Sequence, residues 1–297
     1  MFLNLFGLGC EQNTDTPVVD FSKTISSEQA KKDFSDYTYL RVAIGSMISP
    51  SEAFLSYQKL LEYLGKRLGY RVQVIQRKTY GEINELLGKG EVDLGFICSG
   101  AYVAGKGKYG FEIIATPRVR GSHFYRSYLI VQRKSPYQRL EDLQGRVFAF
   151  VDPQSNTGYY VPRFWLKEIG ESPDTFFKKT LYTHSHDSSI LAVAKGIVDG
   201  AAVDSLVWEY YQTKKSPLAL KTRIIKTSAS FGIPPVVASK HLDSKLKEQI
   251  RQVFFSFHLD PEGRNILKEL MIDQFDPPQD RWYDSVREIL SEFSKEK

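Results

Sequence analysis

Cysteine is scarce in this chain: 297 residues contain two, Cys10 and Cys98. Two cysteines alone cannot build a cysteine-based zinc site. Long apolar runs are missing as well, and no stretch approaches the roughly 20 residues that a bilayer-spanning helix needs. Charge of one sign is not concentrated anywhere. Forty basic residues against 35 acidic ones leave +5, spread along the length without a basic block. That is too dilute for a nucleic-acid surface, and no helix-turn-helix or aromatic-plus-basic stripe accompanies it.

Signatures of catalysis are thin too. Gly105-Lys-Gly-Lys-Tyr-Gly110 lacks the spacing of a phosphate-gripping P-loop and is expected to be a basic surface turn. No G-x-S-x-G occurs. His184 and His186 share one face of an extended segment, but no further ligand cluster supports a metal. Ser185-His186-Asp187 contains the residue types of a hydrolytic triad, yet immediate neighbours are poorly placed for nucleophile, base and orienter. No catalytic residue, metal or cofactor is expected.

What is present fits a soluble globular protein, with 42% apolar and 25% charged residues. The length suffices for one large or two modest domains. The short apolar opening Met1–Gly9 ends in small residues before Cys10, like the cleavage site of a bacterial lipoprotein signal, although the basic start and longer apolar core of a signal are lacking. Cys10 is therefore a candidate lipid anchor at the head of a polar tether, residues 1–37 forming signal remnant and tether together. The same residues also fit an N-terminal tail with an incidental cysteine. Cys98 ends an apolar run and is expected to be a buried free thiol.

From Tyr39 onward, apolar strand candidates alternate with amphipathic helices. The strands are expected at Leu40–Ile44, Val72–Ile75, Val92–Ile97, Ile113–Thr116, Tyr128–Val131, Val147–Val151, Lys179–Tyr182, Ala201–Val203, Arg223–Lys226 and Val236–Ala238. The clearest helix is Ser51–Leu68, with Phe54, Tyr57, Leu61, Leu64 and Leu68 at helical spacing. Residues 241–293 read as two or three helices broken near Asp260-Pro261 and Asp276-Pro277-Pro278. The expected class is α/β with two lobes, each a mixed, mostly parallel sheet flanked by helices. Residues 38–122 plus 232–297 form one lobe and 127–226 the other, with hinge crossovers near 122–127 and 226–232.

Four polar strand-to-helix joints could hold a ligand. They are Ser46–Ser51, Cys98-Ser99-Gly100, Asp152–Pro162 with Ser155, Asn156 and Thr157, and Thr183–Ser189 with His186. Free N–H groups at a helix start form an anion site without charged side chains, and ligands of open α/β sheets sit beyond the carboxyl ends of strands. Any one joint alone is as well explained as an ordinary cap; four of them, two from each lobe, fit an anion held between lobes. Asp204 is either a cap for the helix that follows or an acceptor for a ligand proton. Tyr159 is the one aromatic placed to reach a ligand.

These residues resemble the phosphonate, phosphite and phosphate substrate-binding components of bacterial ABC transporters, which have the type II periplasmic binding fold. The resemblance spans roughly residues 38–275 and rests on Leu40-Arg-Val-Ala-Ile44, the joint ending at Tyr80, Glu91-Val-Asp-Leu-Gly-Phe96, Asp152–Gly158 with Pro162, Ser185-His186-Asp187 and Ala192–Ser205. It implies that Ser155, Asn156 and Thr157 cradle the phosphorus-bound oxygens, that His186 donates to the same group, and that Tyr80 closes from the first lobe. The positions where amine-binding relatives carry acidic residues hold Leu206 and Pro234, so a ligand without an amine is expected, and Ile97 stands where the family often has an aromatic. The expected partners are a small anion and an ABC transporter permease, for a monomer outside the cytoplasm that contacts no nucleic acid and meets the membrane only through Cys10. A sensing module for a membrane histidine kinase and an enzyme on the same fold are the competing readings. Neighbouring genes would separate the first, and a reactive group in the cleft would mark the second.

Overall fold

The structure is a computed structural model that describes residues 38–45, Met47 and residues 50–294, with 50–56 and 294 described as backbone only. Cys10, Ser46 and the tether lie outside the described residues. Among the described residues no helix is long and apolar enough to cross a membrane.

Two sheets organise the chain. The first contains β1 (Tyr39–Ile44), β2 (Arg71–Ile75), β3 (Leu94–Phe96), β4 (Glu112–Arg118), β12 (Val236–Ala238) and β13 (Gln274–Asp276), in the order β13-β4-β12-β3-β1-β2. The second contains β6 (Ser127–Gln132), β7 (Val147–Phe150), β8 (Lys179–Tyr182), β9 (Gly200–Asp204) and β10 (Thr222–Thr227), in the order β10-β6-β9-β7-β8. Between the sheets the chain crosses twice, at β5 (Phe124–Tyr125) and β11 (Phe231–Gly232), which pair antiparallel as a two-stranded ribbon. The fold is the expected two-lobed α/β arrangement.

The apolar pattern explains the layers. Leu40, Val42 and Ile44 of β1 pack with Leu60, Leu61 and Leu64 of the helix Pro50–Leu68, together with Phe254, Phe257 and Phe275 from the C-terminal part. The second core joins Leu129, Val131, Phe148 and Phe150 to Trp165 and Leu166. Burying such side chains contributes roughly 1.5–3 kcal/mol each relative to exposure.

Three expectations need correction. The sheets are mixed, but not mostly parallel. Parallel pairing is confined to β1–β2, β1–β3, β7–β8 and β7–β9, while β3–β12, β12–β4, β4–β13, β6–β9 and β10–β6 are antiparallel. The reason is the double crossover: a chain that leaves a sheet at one edge and returns through it must insert the returning strand in the opposite direction. Second, the helix Asp284–Ser294 is not confined to the first lobe: it packs on Ser99–Tyr109 there and also puts Val286, Ile289 and Leu290 against the core of the second. Third, Gly105–Tyr109 is helical, not a turn: the helix Ser99–Tyr109 runs through it and ends on Gly110 at φ 74°. Gly105 is small for packing, since a Cβ there would lie 2.6 Å from Phe111 and 2.7 Å from Asn84.

Candidate functional site

Five helices begin where the two lobes face each other. Tyr80, Ser99 and His186 are the first residues of Tyr80–Lys89, Ser99–Tyr109 and His186–Ala194. Asn156 opens a π turn, Asn156–Tyr160, that leads into Val161–Glu168, and Ser205 opens Ser205–Thr213. The cap before each start is polar in four cases: Thr79, Ser155, Ser185 and Asp204 accept backbone N–H groups of the following turn. The starts are thus fixed by their own caps, and the helix dipoles favour negative charge in the space between them.

Contacts between the lobes bring these starts together. The Tyr80 N–H donates to Asp152 Oδ2 at 3.1 Å, and Asn84 Nδ2 donates to Gln154 Oε1 at 3.0 Å. The His186 N–H donates to the Met47 carbonyl at 2.9 Å. Ser99 Oγ and the Tyr125 hydroxyl are 2.6 Å apart, and Asn156 Nδ2 reaches the same hydroxyl at 3.4 Å. Tyr125 sits on the crossover ribbon, so one phenol ties each lobe to the hinge.

Within this junction, five fully buried side-chain atoms have no partner among the described residues: Tyr80 Oη, Asn84 Oδ1, Asn156 Oδ1, Thr157 Oγ1 and His186 Nε2. A buried polar atom left unpaired costs about 1–3 kcal/mol, so five at one junction make it the candidate place for a ligand. The histidine's chemistry is fixed by its other nitrogen. Nδ1 accepts the Asp204 N–H at 3.0 Å, which leaves the proton on Nε2, and burial lowers the ring to about 3. His186 is therefore a neutral donor across the physiological range. Burial, reinforced by Cys98, Asp152 and Asp204, also holds the Tyr80 phenol well above its usual range, making it a donor too. The unpartnered atom of Asn156 is its amide oxygen, an acceptor, suited to a protonated oxygen of a ligand.

Asp204 behaves differently. Burial raises its carboxyl to about 7, against the pull of the Leu206 and Val207 N–H groups, and Oδ1 accepts the Leu206 N–H at 2.7 Å. Its capping role is thereby present, and burial holds the carboxyl's titration far above the usual carboxylate range, near neutrality.

The other expected residues divide. Ser155 Oγ accepts the Gly158 N–H at 3.0 Å as the cap of the turn, leaving its own proton free. Ser99 is buried and engaged with Tyr125. Tyr159 is not brought to the junction: its ring packs on Phe150, Tyr160 and Tyr182, with Arg163 over it at 5.1 Å. The aromatic cluster under β8 claims it through apolar contact. Asp152 and Tyr125 were not expected in the site. Asp152 is 1% exposed yet anionic in type, and its place straight after a strand was the available signal; nothing local marks Tyr125.

Beside the junction lies a cavity of about 150 Å³ that Asp204 and Met47 share with it. Leu206 and Pro234 both line this cavity.

Residues 42–283 match the family model of the periplasmic substrate-binding protein of phosphonate ABC transporters. The chain belongs to this family. Among relatives of this phosphonate-binding family, the phosphonates-binding periplasmic protein of Escherichia coli K12 is 26% identical over 215 residues, 71% of this chain and 63% of that one. The phosphate-import protein PhnD of Mycolicibacterium smegmatis is 31% identical over 169 residues, 53% of this chain and 52% of that one. The matches thus span between half and two thirds of these relatives' lengths. A crystal structure of a binding-protein component of a phosphonate transporter from Pseudomonas aeruginosa superposes with a TM-score of 0.81 at 25% identity, covering 86% of each chain. PhnD1 of Prochlorococcus marinus, solved with methylphosphonate, superposes at 0.78 over 86% of this chain and 98% of that one, at 18% identity, a likeness of fold.

Proposed function

We propose that the chain captures a small phosphorus oxyanion (a phosphonate, phosphite or phosphate) outside the cytoplasm, by closure of its lobes about the β5–β11 ribbon, and delivers it to an ABC permease. The observation that carries this reading is the set of buried, unpartnered polar atoms of Tyr80, Asn156, Thr157 and His186 at the junction of the lobes. Neutral donors and helix starts stabilise an anion without a neutralising cation, and charge-assisted hydrogen bonds to it are about twice as strong as neutral ones. The test is calorimetric titration of the protein with phosphate, phosphite, methylphosphonate, 2-aminoethylphosphonate and sulfate. Tight binding of one of the first three is expected. If none of the five binds and none shifts the melting temperature, the oxyanion reading fails.

Asp204 gives that binding a pH dependence. A dianion beside an ionised Asp204 is repelled, so the pair binds best while one proton is shared between carboxyl and ligand. Affinity is therefore expected to fall as pH rises above about 7, the value of Asp204 in the fold, approaching tenfold per unit. In Asp204→Asn the amide supplies the donor permanently, and that part of the slope should vanish. The sign for the ligand-free fold is the same. Asp204 keeps its proton to about 7, while the unfolded chain releases it at about 4, so its contribution to stability is present at low pH and lost as pH rises through 7. His186, neutral in the fold and charged when unfolded below about 6.5, contributes the opposite slope. A flat wild-type affinity between pH 6 and 9 would remove Asp204 from the site.

A further inference from the structure

At the end of its sheet opposite the cleft, the second lobe presents a pole that is both basic and apolar, and we propose that this pole docks on an anionic phospholipid surface. Three segments far apart in the chain build it: residues 132–137 after β6, residues 194–199 at the end of the helix His186–Ala194, and residues 213–223 from the end of the helix Ser205–Thr213 to the start of β10. Hydrogen bonds hold them side by side. The Arg133 N–H donates to the Lys221 carbonyl at 2.7 Å, and Arg133 Nε donates to the Leu220 carbonyl at 2.6 Å. Gln132 Nε2 donates to the Ala194 carbonyl at 3.4 Å, and Gln212 Nε2 to the Ala219 carbonyl at 2.9 Å. Charge that is even along the sequence is thereby gathered on one end of a lobe.

Six basic side chains are exposed there: Arg133, Lys134, Lys195, Lys214, Lys215 and Lys221. Asp199 is the one acidic residue of the three segments, and it is tied to the scaffold, accepting from the Tyr137 hydroxyl at 3.1 Å and the Val147 N–H at 2.9 Å. Glu141 and Asp142, which follow the first segment, are matched by Arg139. Among these cations stand two exposed aliphatic side chains, Ile197 at 62% and Leu220 at 47%, with Pro217 exposed beside them in the third segment. Lysines around exposed aliphatic residues are the footprint of an interfacial membrane contact. The aliphatic tips enter the headgroup region, the lysine stems lie along the boundary, and the ammonium groups meet phosphates. A nucleic acid would meet the same charge but leave Ile197 and Leu220 in water, so the combination favours lipid.

The pole leaves the cleft free. The helix His186–Ala194 opens at the junction of the lobes and ends at the pole, and its nine residues set the two apart by roughly 13 Å. In the same way β9 runs from Gly200 at the pole to Asp204 at the junction. Docking here would keep a substrate-binding protein close to a membrane without covering its oxyanion site, and the inference holds or fails independently of what that site binds.

The experiment is co-sedimentation of the full chain with vesicles of equimolar phosphatidylglycerol and phosphatidylcholine, against phosphatidylcholine alone, at low and at high salt. Binding to the anionic vesicles only is expected, weakening with salt as screening shortens the reach of the charges. Lys214→Gln/Lys215→Gln/Lys221→Gln should lose at least about thirtyfold in vesicle affinity, since each lysine near such a surface contributes about fivefold. Ile197→Ser/Leu220→Ser should lose about tenfold. Lys89→Gln/Lys240→Gln/Lys245→Gln, the same change of charge at exposed positions of the first lobe, should bind as the wild type does. All three variants should keep the wild-type melting temperature and the wild-type response to phosphate. Absence of binding to the anionic vesicles overturns the proposal, and so does an equal loss in both lysine triples, which would reduce the effect to net charge. A serine pair that binds as the wild type does overturns the aliphatic contact on which the choice of lipid rests. Binding to a DNA duplex but not to the vesicles would reassign the pole to nucleic acid.

Discussion

Replacing Thr157 by valine is expected to weaken oxyanion binding by about tenfold to hundredfold while leaving the ligand-free protein as stable as before, or more so. The two effects come from one atom. Thr157 Oγ1 is fully buried and unpartnered, and its backbone carbonyl is held separately by the Ser127 hydroxyl at 2.7 Å. Valine keeps the shape and the backbone contact but removes a polar group that is buried without a partner whenever the lobes close empty, a cost of about 1–3 kcal/mol in that form. In the complex the same hydroxyl is expected to donate to an anion, a bond contributing about 1.5–3 kcal/mol. A threonine with a structural role would show the reverse: lower melting temperature and unchanged affinity. His186→Ala makes the useful contrast. It should lose affinity by at least as much, but it also strips the Asp204 N–H of its acceptor, so the ligand-free protein should melt lower. Calorimetry for binding and thermal unfolding for stability, run on both variants, separate ligand-facing atoms from scaffold. If valine destabilises the empty protein and binding is untouched, Thr157 is not a ligand residue.

The sequence carried the joints better than the connections between them. Strand ends followed by Ser, Asn, Thr or His mark where helices start, because caps and strand periodicity are local properties; Ser155, Ser185 and Asp204 do cap, and Tyr80, Asn156 and His186 do open helices. Partners across the lobes left no local trace. The bond from Tyr80 to Asp152 joins residues 72 apart, and that from Asn84 to Gln154 joins residues 70 apart. The two-residue strands of the ribbon and the three-residue β13 are too short to show alternation. Tyr159 shows a related point: adjacency to the polar turn placed it near the ligand, while its half-buried ring packs against Phe150 and Tyr182. The C-terminal helix Asp284–Ser294 was legible as a helix but not as a bridge to the second lobe, since an amphipathic face says that it packs and not on what.

Gly100→Ala is expected to leave the protein folded and to cost it about tenfold to hundredfold in ligand affinity, by blocking closure. Gly100 is the second residue of the helix Ser99–Tyr109 in the first lobe. A Cβ there would lie 2.4 Å from the Gln154 carbonyl oxygen and 2.7 Å from the Asn156 nitrogen, both backbone atoms of the second lobe. Backbone cannot swing aside as a flexible side chain can, so the lobes would have to stay apart, and overpacking of this kind costs roughly 1–3 kcal/mol. The helix itself has no objection to alanine, which is intrinsically better there than glycine by about 0.5–1 kcal/mol. The propensity gain is common to the open and closed forms and cancels between them, so only the barred approach of Gly100 to the 154–156 turn disfavours closure. Small-angle scattering should show the wild type contracting on addition of its ligand and the variant failing to contract at the same concentration, with the variant's melting temperature unchanged or higher in the absence of ligand. Binding and contraction at wild-type levels would mean that the tight approach of Gly100 to the 154–156 turn is not what the ligand requires, and the cradle would then have to form without the first-lobe helix pressed against it.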